Sequence, residues 1–232
     1  MKRKSFAAFT LIEMLVVISI IAVLAAFAVP ALTSALTRGQ MAGTVNNVHQ
    51  LYISAQSMAI DGTTNSDSSL GWPADITTPA AITSLVTYCD KLVAGSYLPS
   101  VGDLKKILSA PGVTCTITGG TTSGGTYSSI TAIGTPALKI YKVKENDPPS
   151  TIFAATANYT YNTALTSTGT PFGDKGFVIQ RKGSDASIFK KNQATGTGAN
   201  FQSLVGRLPG DAEGTAGTES SSGAGQNVLS NP

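Results

Sequence analysis

A long apolar segment close to the N-terminus constrains this 232-residue chain more than any other feature. It extends to Leu32, follows the cations Lys2, Arg3 and Lys4, and contains one charged residue, Glu13. A helix of about 20 apolar residues is long enough to cross the hydrocarbon core of a bilayer. Because cations concentrate on the cytoplasmic side of such helices, we predict a cytoplasmic N-terminus, a single membrane span and the rest of the chain outside the cytoplasm.

Glu13 requires an explanation, because a carboxylate at mid-bilayer costs about 2.5 to 3.5 kcal/mol by insertion scales. It belongs to an ordered set of features: a basic leader, the small residue Ala8, the sequence Phe-Thr-Leu-Ile-Glu starting at Phe9, a long apolar helix and Pro30. In this order the features resemble the N-terminus of the type IV pilin and type II secretion pseudopilin superfamily, over residues 2–37.

The resemblance implies how this N-terminus is processed and used. In that superfamily a membrane-bound prepilin peptidase cleaves before the Phe and N-methylates it. The Glu then pairs with the new N-terminal amine of a neighbouring subunit as the filament assembles. For this chain, cleavage is expected between Ala8 and Phe9, with Phe9 as the methylated N-terminus and Glu13 as the assembly carboxylate. The implied partners are copies of the chain or other pilins or pseudopilins, prepilin peptidase and the inner-membrane assembly platform. The implied location is the inner membrane, with the C-terminal domain in the periplasm.

Two positions depart from the superfamily pattern. The residue before the cleavage site is usually Gly and here is Ala8, so we expect slower cleavage. The superfamily often has a Gly within the apolar helix before the Pro, whereas this segment offers only alanines. Pro30 lacks an N–H and clashes with the preceding turn, so we expect the helix to kink or open there during assembly.

Two other interpretations of the N-terminus remain open. An ordinary secretory signal peptide also has a basic start, an apolar centre and a small-x-small site such as Ala26-Phe27-Ala28. The other is an anchor that is never processed and carries a binding domain. The early position of Glu13 and the length of the apolar run both argue against a signal peptide.

The pattern changes after Pro30 and divides the rest of the chain. Residues 33–60 stay helical but become amphipathic, with apolar residues three and four apart such as Met41, Val45 and Val48. We therefore predict a leader at 1–8, a transmembrane helix at 9–32, an amphipathic half at 33–60, a pilin-like domain at 61–205 and a disordered Gly/Ser-rich tail at 206–232.

Within the domain, the patterns predict short helices followed by strands. Thr78 and Pro79 are expected to begin a helix that ends at Gly95, and a second helix covers 101–109. Alternation predicts strands at 113–117, 128–133, 138–144 and 152–163, and a hairpin of 177–182 with 187–190. The longest strand is expected to place these side chains on one face: Phe153, Ala155, Ala157, Tyr159 and Tyr161. The predicted fold is α+β, with the long helix packed against an antiparallel sheet.

The sequence signals no catalytic, metal or cofactor site. His49 is the only histidine and lacks partners, so we expect a surface or edge position. The oxygens of Asp61, Asn65 and Asp67 do not have EF-hand spacing, and Trp72 is expected to plug the domain core. The Gly-rich residues 119–125 lack the Lys-Ser/Thr ending of a phosphate loop.

Nucleic-acid binding is not expected either. Without the leader, the chain carries 13 basic and 13 acidic side chains. Five cations gather near the predicted hairpin, without aromatic residues interleaved on the same face, so we expect a solvated surface. They are Lys175, Arg181, Lys182, Lys190 and Lys191.

Cys89 and Cys115 are both expected to point inward. Outside the cytoplasm a disulfide between them is favoured, and closing a loop of this size contributes roughly 3 kcal/mol. The alternative is a pair of buried free thiols. The pairing rests on this argument alone, because the superfamily often has its disulfide near the C-terminus.

The chain is therefore expected to be a structural filament subunit rather than an enzyme. A type II secretion pseudopilin is favoured over a type IV pilus pilin acting in adhesion, motility or DNA uptake. The chain lacks the Asp-Pro-Trp-Gly motif that major pseudopilins often carry, which favours a minor or divergent subunit.

Overall fold

The computed structural model describes residues 10–120, 122–123, 126–198 and 200–231. Contacts divide the chain into two compact units, residues 1–39 and 40–232. Helix α1, Leu11–Asn65, contains Pro30 without being interrupted by it. It is the one described helix that is long and apolar enough to cross a membrane, and its most apolar 18-residue window has no buried residue.

Within the second unit, α1 has a buried face and an exposed face. The buried residues follow the predicted helical spacing and include Met41, Val48, Leu51, Tyr52 and Ala55. The helix ends at Asn65, five residues beyond the predicted end of its amphipathic half at residue 60. Gly62 does not end the helix, and its lack of a side chain is needed for packing. A Cβ there would collide with the carbonyl group of Leu70.

Two short helices follow, α2 (Leu85–Ala94) and α3 (Val101–Ile107). The predicted start of α2 at Thr78 and Pro79 is wrong. Ser84 is the N-cap, and its hydroxyl accepts a hydrogen bond from the Thr87 N–H at 3.2 Å. The residue before it, Thr83, accepts a backbone hydrogen bond from Ser230 and lies outside the helix.

Within the described residues, eight strands form three antiparallel sheets. The largest has the order β5-β6-β7-β8, with β5 Leu138–Ile140, β6 Ile152–Thr156, β7 Phe177–Arg181 and β8 Ala186–Phe189. Two smaller sheets pair β1 Ile117–Gly119 with β4 Ile130–Ile133, and β2 Thr122–Ser123 with β3 Thr126–Tyr127. A 3-10 helix, Lys191–Gln193, and α4, Phe201–Val205, follow β8. The structure confirms the predicted α+β class and the β7–β8 hairpin.

The predicted common face of residues 153–161 is wrong. The strand β6 ends at Thr156, and its register with β7 shifts between Ile152 and Ala154. As a result, Phe153 joins the apolar cluster that contains α1, while Ala155 joins a second cluster. Every residue of β6 is buried, so its sequence lacks the alternation that specifies a single face.

The predicted strand at 113–117 forms only at its end. Val113 and Cys115 are buried, and the residues after each are exposed, as the alternation predicts. Their backbone partners are local, however. Val113 exchanges hydrogen bonds with Ala110, and the Cys115 N–H donates to the Ser109 hydroxyl at 3.0 Å. The ladder begins only at Ile117.

Residues 206–231 make contacts that a disordered tail would lack. Leu208, Val228 and Leu229 are buried, and residues 227–230 hydrogen-bond to β5 and to the residues before α2. The composition predicts disorder because apolar residues are few here. Average composition does not show where the few apolar residues of this segment lie, and in the structure they pack in the core.

Candidate functional site

The start of α1 holds the residue predicted to be the assembly carboxylate. The Glu13 Oε2 accepts hydrogen bonds from the Thr10 N–H at 2.8 Å and from the Thr10 hydroxyl at 2.7 Å. In return, the Glu13 N–H donates to the Thr10 hydroxyl oxygen at 3.3 Å. This reciprocal arrangement is a capping box, which satisfies N–H groups that have no partner inside the helix.

The capping box gives Glu13 a local structural role that we did not predict. The signal was present in the sequence, because Thr-x-x-Glu before an apolar run is the pattern of a capping box. Within the described residues no partner reaches the other carboxylate oxygen, Oε1. The predicted cleavage site, Ala8 and Phe9, lies outside the described residues.

The apolar side chains of α1 between residues 11 and 36 are exposed throughout. Leu11 is 83% exposed and Phe27 is 79% exposed. Burying apolar area contributes about 25 cal/mol per Å², so a row of exposed Leu, Ile, Val and Phe is strongly unfavourable in water. Lipid or other apolar helices must cover this segment.

Pro30 lies inside this exposed segment. Its carbonyl oxygen accepts a hydrogen bond from the Thr33 hydroxyl at 2.9 Å. Hydroxyl groups of this kind satisfy backbone carbonyls near a proline in a membrane helix. The role of Pro30 in assembly stays a prediction.

The two cysteines lie as deep as predicted but carry free thiols in the structure. Burial raises the pKa of Cys89 well above that of an ordinary thiol, and the nearby Cys115 raises it further. Burial also raises the pKa of Cys115. The disulfide between them stays a prediction.

The cations near the hairpin differ in their surroundings. Arg181 is buried, and its guanidinium donates to carbonyl groups at the end of α4. Lys182 donates to the Glu145 carbonyl at 2.5 Å, and Lys191 pairs with Asp174 at 2.7 Å. Arg181 therefore does not belong to the predicted solvated surface. Its hydrogen bonds instead join the hairpin to the end of α4.

Trp72 is buried, as expected of a core plug, and adjoins two grooves. Its indole N–H donates to Glu145 Oε2 at 2.6 Å. Trp72 and Glu145 both line one groove of about 260 Å³ and another of about 110 Å³. Burial raises the pKa of Asp75, and the Glu145 and Asp147 carboxylates contribute to the rise.

Among described residues, no group of three or more His, Cys, Asp or Glu is placed to hold a metal ion.

His49 lies partly buried beside the sheet. The Gln180 amide nitrogen donates to two backbone carbonyls, which turns its oxygen toward the His49 Nδ1 at 3.4 Å. The Nδ1 must therefore carry the proton in this contact. The ring also stacks on Tyr52, with centroids 6.0 Å apart, so His49 is held by packing.

Glu219 is an anchoring residue that the sequence reasoning missed. Its carboxylate accepts hydrogen bonds from Lys139 Nζ at 2.5 Å, the Tyr141 hydroxyl at 2.5 Å and the Tyr161 N–H at 2.8 Å. Charged carboxylates with several donors form strong hydrogen bonds. No local signal marks Glu219, because its partners lie 58 to 80 residues earlier.

Comparison with known proteins bears on the N-terminus. Residues 3–29 match the family model described as the prokaryotic N-terminal methylation motif. Neither curated proteins nor solved structures gave a match. Proteins with this motif are structural subunits rather than enzymes. The chain therefore carries a type IV pilin-like signal, which implies membrane anchoring, processing by prepilin peptidase and assembly with other pilins.

Proposed function

We propose that this protein is a structural subunit of a type IV-like filament, and specifically a type II secretion pseudopilin of the minor or divergent kind. The observation that carries the proposal is the methylation motif at residues 3–29, which overlaps the first turns of an exposed apolar helix that begins at Leu11. In this proposal residues 1–8 are removed, 9–32 span the membrane before assembly, 33–60 connect to the domain and the domain begins at residue 61.

The exposed apolar helix supports a filament because lipid can cover it before assembly and the helices of neighbouring copies can cover it afterwards. In the inner membrane, lipid covers the apolar side chains of residues 11–36. In a filament, the same side chains of neighbouring copies cover one another without exposing apolar area to water. The N-terminus is cytoplasmic and the domain periplasmic in this scheme, which follows from the three leader cations.

Glu13 supplies the carboxylate that pairs with a neighbouring copy at the start of the apolar helix. Its Oε2 is occupied by the capping box with Thr10, and its Oε1 is the oxygen available to a neighbouring copy. Cleavage after Ala8 creates an amine on Phe9 four residues before Glu13. The pair between that amine and the carboxylate of another copy offsets the cost of holding the carboxylate in an apolar environment.

Intact mass and N-terminal analysis of the membrane-extracted protein, with and without prepilin peptidase, test the processing. We expect a chain that starts at N-methylated Phe9 only when the peptidase is present. A start near Val29 would indicate an ordinary signal peptide, and an intact Met1 would indicate an unprocessed anchor. Either result would overturn the proposal.

The Glu13→Ala variant tests assembly separately from processing. We expect it to insert and be cleaved but to enter filaments poorly, because the pairing carboxylate is missing. Thr10→Ala is the matched control, since it disrupts the same capping box and leaves the carboxylate in place. Equal filament incorporation of Glu13→Ala and wild type would contradict the pairing.

The type of filament is tested by deletion of the gene. Loss of protein secretion with surface pili unchanged is expected for a secretion pseudopilin. Loss of surface pili with secretion unchanged would instead identify a pilus pilin.

A further inference from the structure

The strand β7 runs alongside the part of α1 that belongs to the domain. Just before β7 begins, a Cβ on Gly176 would lie 3.0 Å from the Met41 Cε. Just after β7 ends, the Lys182 carbonyl accepts a hydrogen bond from the Tyr52 hydroxyl at 2.7 Å. The two elements therefore run in the same direction, and the residues around Gly176 lie at the end of the domain where α1 enters it.

Exposed lysines gather at this end of the domain. Some flank Gly176 and the end of β8, whose Phe189 carbonyl lies beside Gly176. Others come from the end of α3, because Asn47 Nδ2 donates to the Lys106 carbonyl at 3.4 Å, less than two helical turns beyond Met41. We call this surface the basic end of the domain. Its lysines are Lys105, Lys106, Lys175, Lys190 and Lys191.

Few carboxylates oppose these lysines. Asp174 pairs with Lys191 at 2.7 Å, and Asp103 accepts a hydrogen bond from the Ser100 hydroxyl at the start of α3. Among the described residues, the other four lysines of the basic end form no ion pair. The surface therefore keeps an excess of positive charge.

A group of carboxylates lies at the opposite end of the domain. The Asp67 N–H donates to the Gly62 carbonyl at 2.9 Å, and one groove brings Asp67, Asp75 and Glu145 together there. Along α1, residue 62 is about 32 Å from residue 41 at 1.5 Å per residue. The domain therefore carries opposite charges at its two ends, which we call the basic end and the acidic end.

We propose that the basic end binds anionic lipid headgroups at the membrane surface before assembly. Met41 follows Leu36, which closes the exposed apolar segment, by five residues, and five residues span at most about 18 Å. Arg38 adds an exposed cation within that stretch. Lysine and arginine clusters beside a membrane helix attract anionic headgroups over a Debye length of about 8 Å at physiological salt.

The charge separation also orients the domain. An anionic surface attracts the basic end and repels the acidic end, so the domain is held with its basic end toward the lipid. This inference rests on the membrane anchoring in the proposed function and not on the type of filament.

Nucleic acid fits the basic end less well than lipid does. Described aromatic side chains of the domain are buried or partly buried, so bases find no exposed ring on which to stack. The alternative protein partner is the acidic end of a second copy.

Lysine acetylation of the full chain in nanodiscs tests the lipid contact. Discs that hold one copy each are made from phosphatidylcholine alone or from its mixture with phosphatidylglycerol, and peptide mass spectrometry follows each lysine. We expect Lys175 and Lys190 to be acetylated about fivefold more slowly in the anionic discs, and high salt to remove the difference. Lys144 is the internal control, because it is exposed at the acidic end, and its rate should be the same in both discs.

Charge reversal tests whether the lysines cause this protection. Lys175→Glu combined with Lys190→Glu should remove most of the protection of Lys105 and Lys106 in anionic discs. The matched control Lys144→Glu reverses an exposed charge at the acidic end and should leave the protection unchanged. Equal acetylation in both lipids, or protection that the double variant retains, would overturn the proposal.

Discs that hold two copies distinguish lipid from a second copy. Protection that needs two copies and is equal in both lipids would assign the basic end to the acidic end of a neighbour, and the lipid proposal would be abandoned. A chain that does not insert into discs would refute the proposed span and this contact together. A chain that inserts normally but shows no protection would refute the lipid contact alone.

Discussion

The anchoring of the C-terminal segment through Glu219 gives a quantitative prediction. The Glu219 side chain is only 12% exposed and that of its partner Lys139 only 16%. Glu219→Ala would leave the Lys139 ammonium without its counter-charge and the buried Tyr141 hydroxyl without its acceptor. Removing one partner of a buried ion pair costs about 3 to 5 kcal/mol.

This cost converts into a measurable change in melting temperature. For a domain of this size, 1 kcal/mol corresponds to roughly 2 to 4 °C, so Glu219→Ala should lower Tm by roughly 6 to 20 °C. Circular dichroism of the full chain in detergent, followed during heating, measures the change. Glu219→Gln retains acceptor oxygens for Tyr141 and Tyr161 and should lose less.

Glu213→Ala is the matched control, because it removes a carboxylate that is close in sequence and 88% exposed. Exposed ion pairs contribute about 0 to 1 kcal/mol, so its Tm should stay near that of wild type. A shift of less than 2 °C for Glu219→Ala, or equal shifts for both variants, would refute the anchoring role.

The pH dependence of the Tm difference between Glu219→Ala and wild type gives a further check. Burial lowers the pKa of Lys139, and Glu219 opposes that effect. Removing Glu219 lowers the pKa further, so folded Lys139 releases its proton while the unfolded chain still binds one. Stability then rises with pH between the lowered pKa and the unfolded value of about 10.4. The Tm deficit of Glu219→Ala should therefore shrink from pH 7 to pH 9.5, and a constant deficit would refute the pKa argument.

The remaining predictions concern the helix, the cysteines and alkaline pH. Gly62→Ala should lower Tm because its Cβ meets a backbone carbonyl, whereas Gly43→Ala has open space and should gain about 1 kcal/mol in helix propensity; equal effects would contradict this packing. Cys89 is fully buried, so replacing it by Ser should lower Tm in reductant too, but by more under oxidising conditions if it is bonded to Cys115; equal loss in both would indicate free thiols. Burial raises the pKa of Tyr161 to about 12, so its contribution to stability should be lost as pH rises from 10 to 12, and Tyr161→Phe should flatten that loss in alkaline unfolding followed by tyrosinate absorbance.

Local sequence patterns were sufficient to predict elements that bury one face and expose the other. The spacing of Met41, Val45 and Val48 predicted the face that α1 buries, and the hairpin of β7 and β8 was predicted from alternation and a turn. The start of α2 was not predictable in this way. Thr78 with Pro79 and Ser84 with Thr87 are both acceptable N-terminal signals, and the pairing of Thr83 with Ser230 decides between them.

The strand β6 shows a second limit of local patterns. Its residues are buried on both faces, so alternation could not reveal that Phe153 and Ala155 belong to different clusters. That division follows from the register shift against β7, which is a property of the sheet.

The sequence by itself determined the N-terminal segment of this protein. The leader cations, the apolar length, Thr10 with Glu13 and the methylation motif are all local, because a membrane helix satisfies its backbone within its own turns. Only the tertiary structure decided the fate of the C-terminal segment. Glu219 and residues 227–230 are ordered by partners up to 147 residues away, and contacts at that separation leave no trace in local composition.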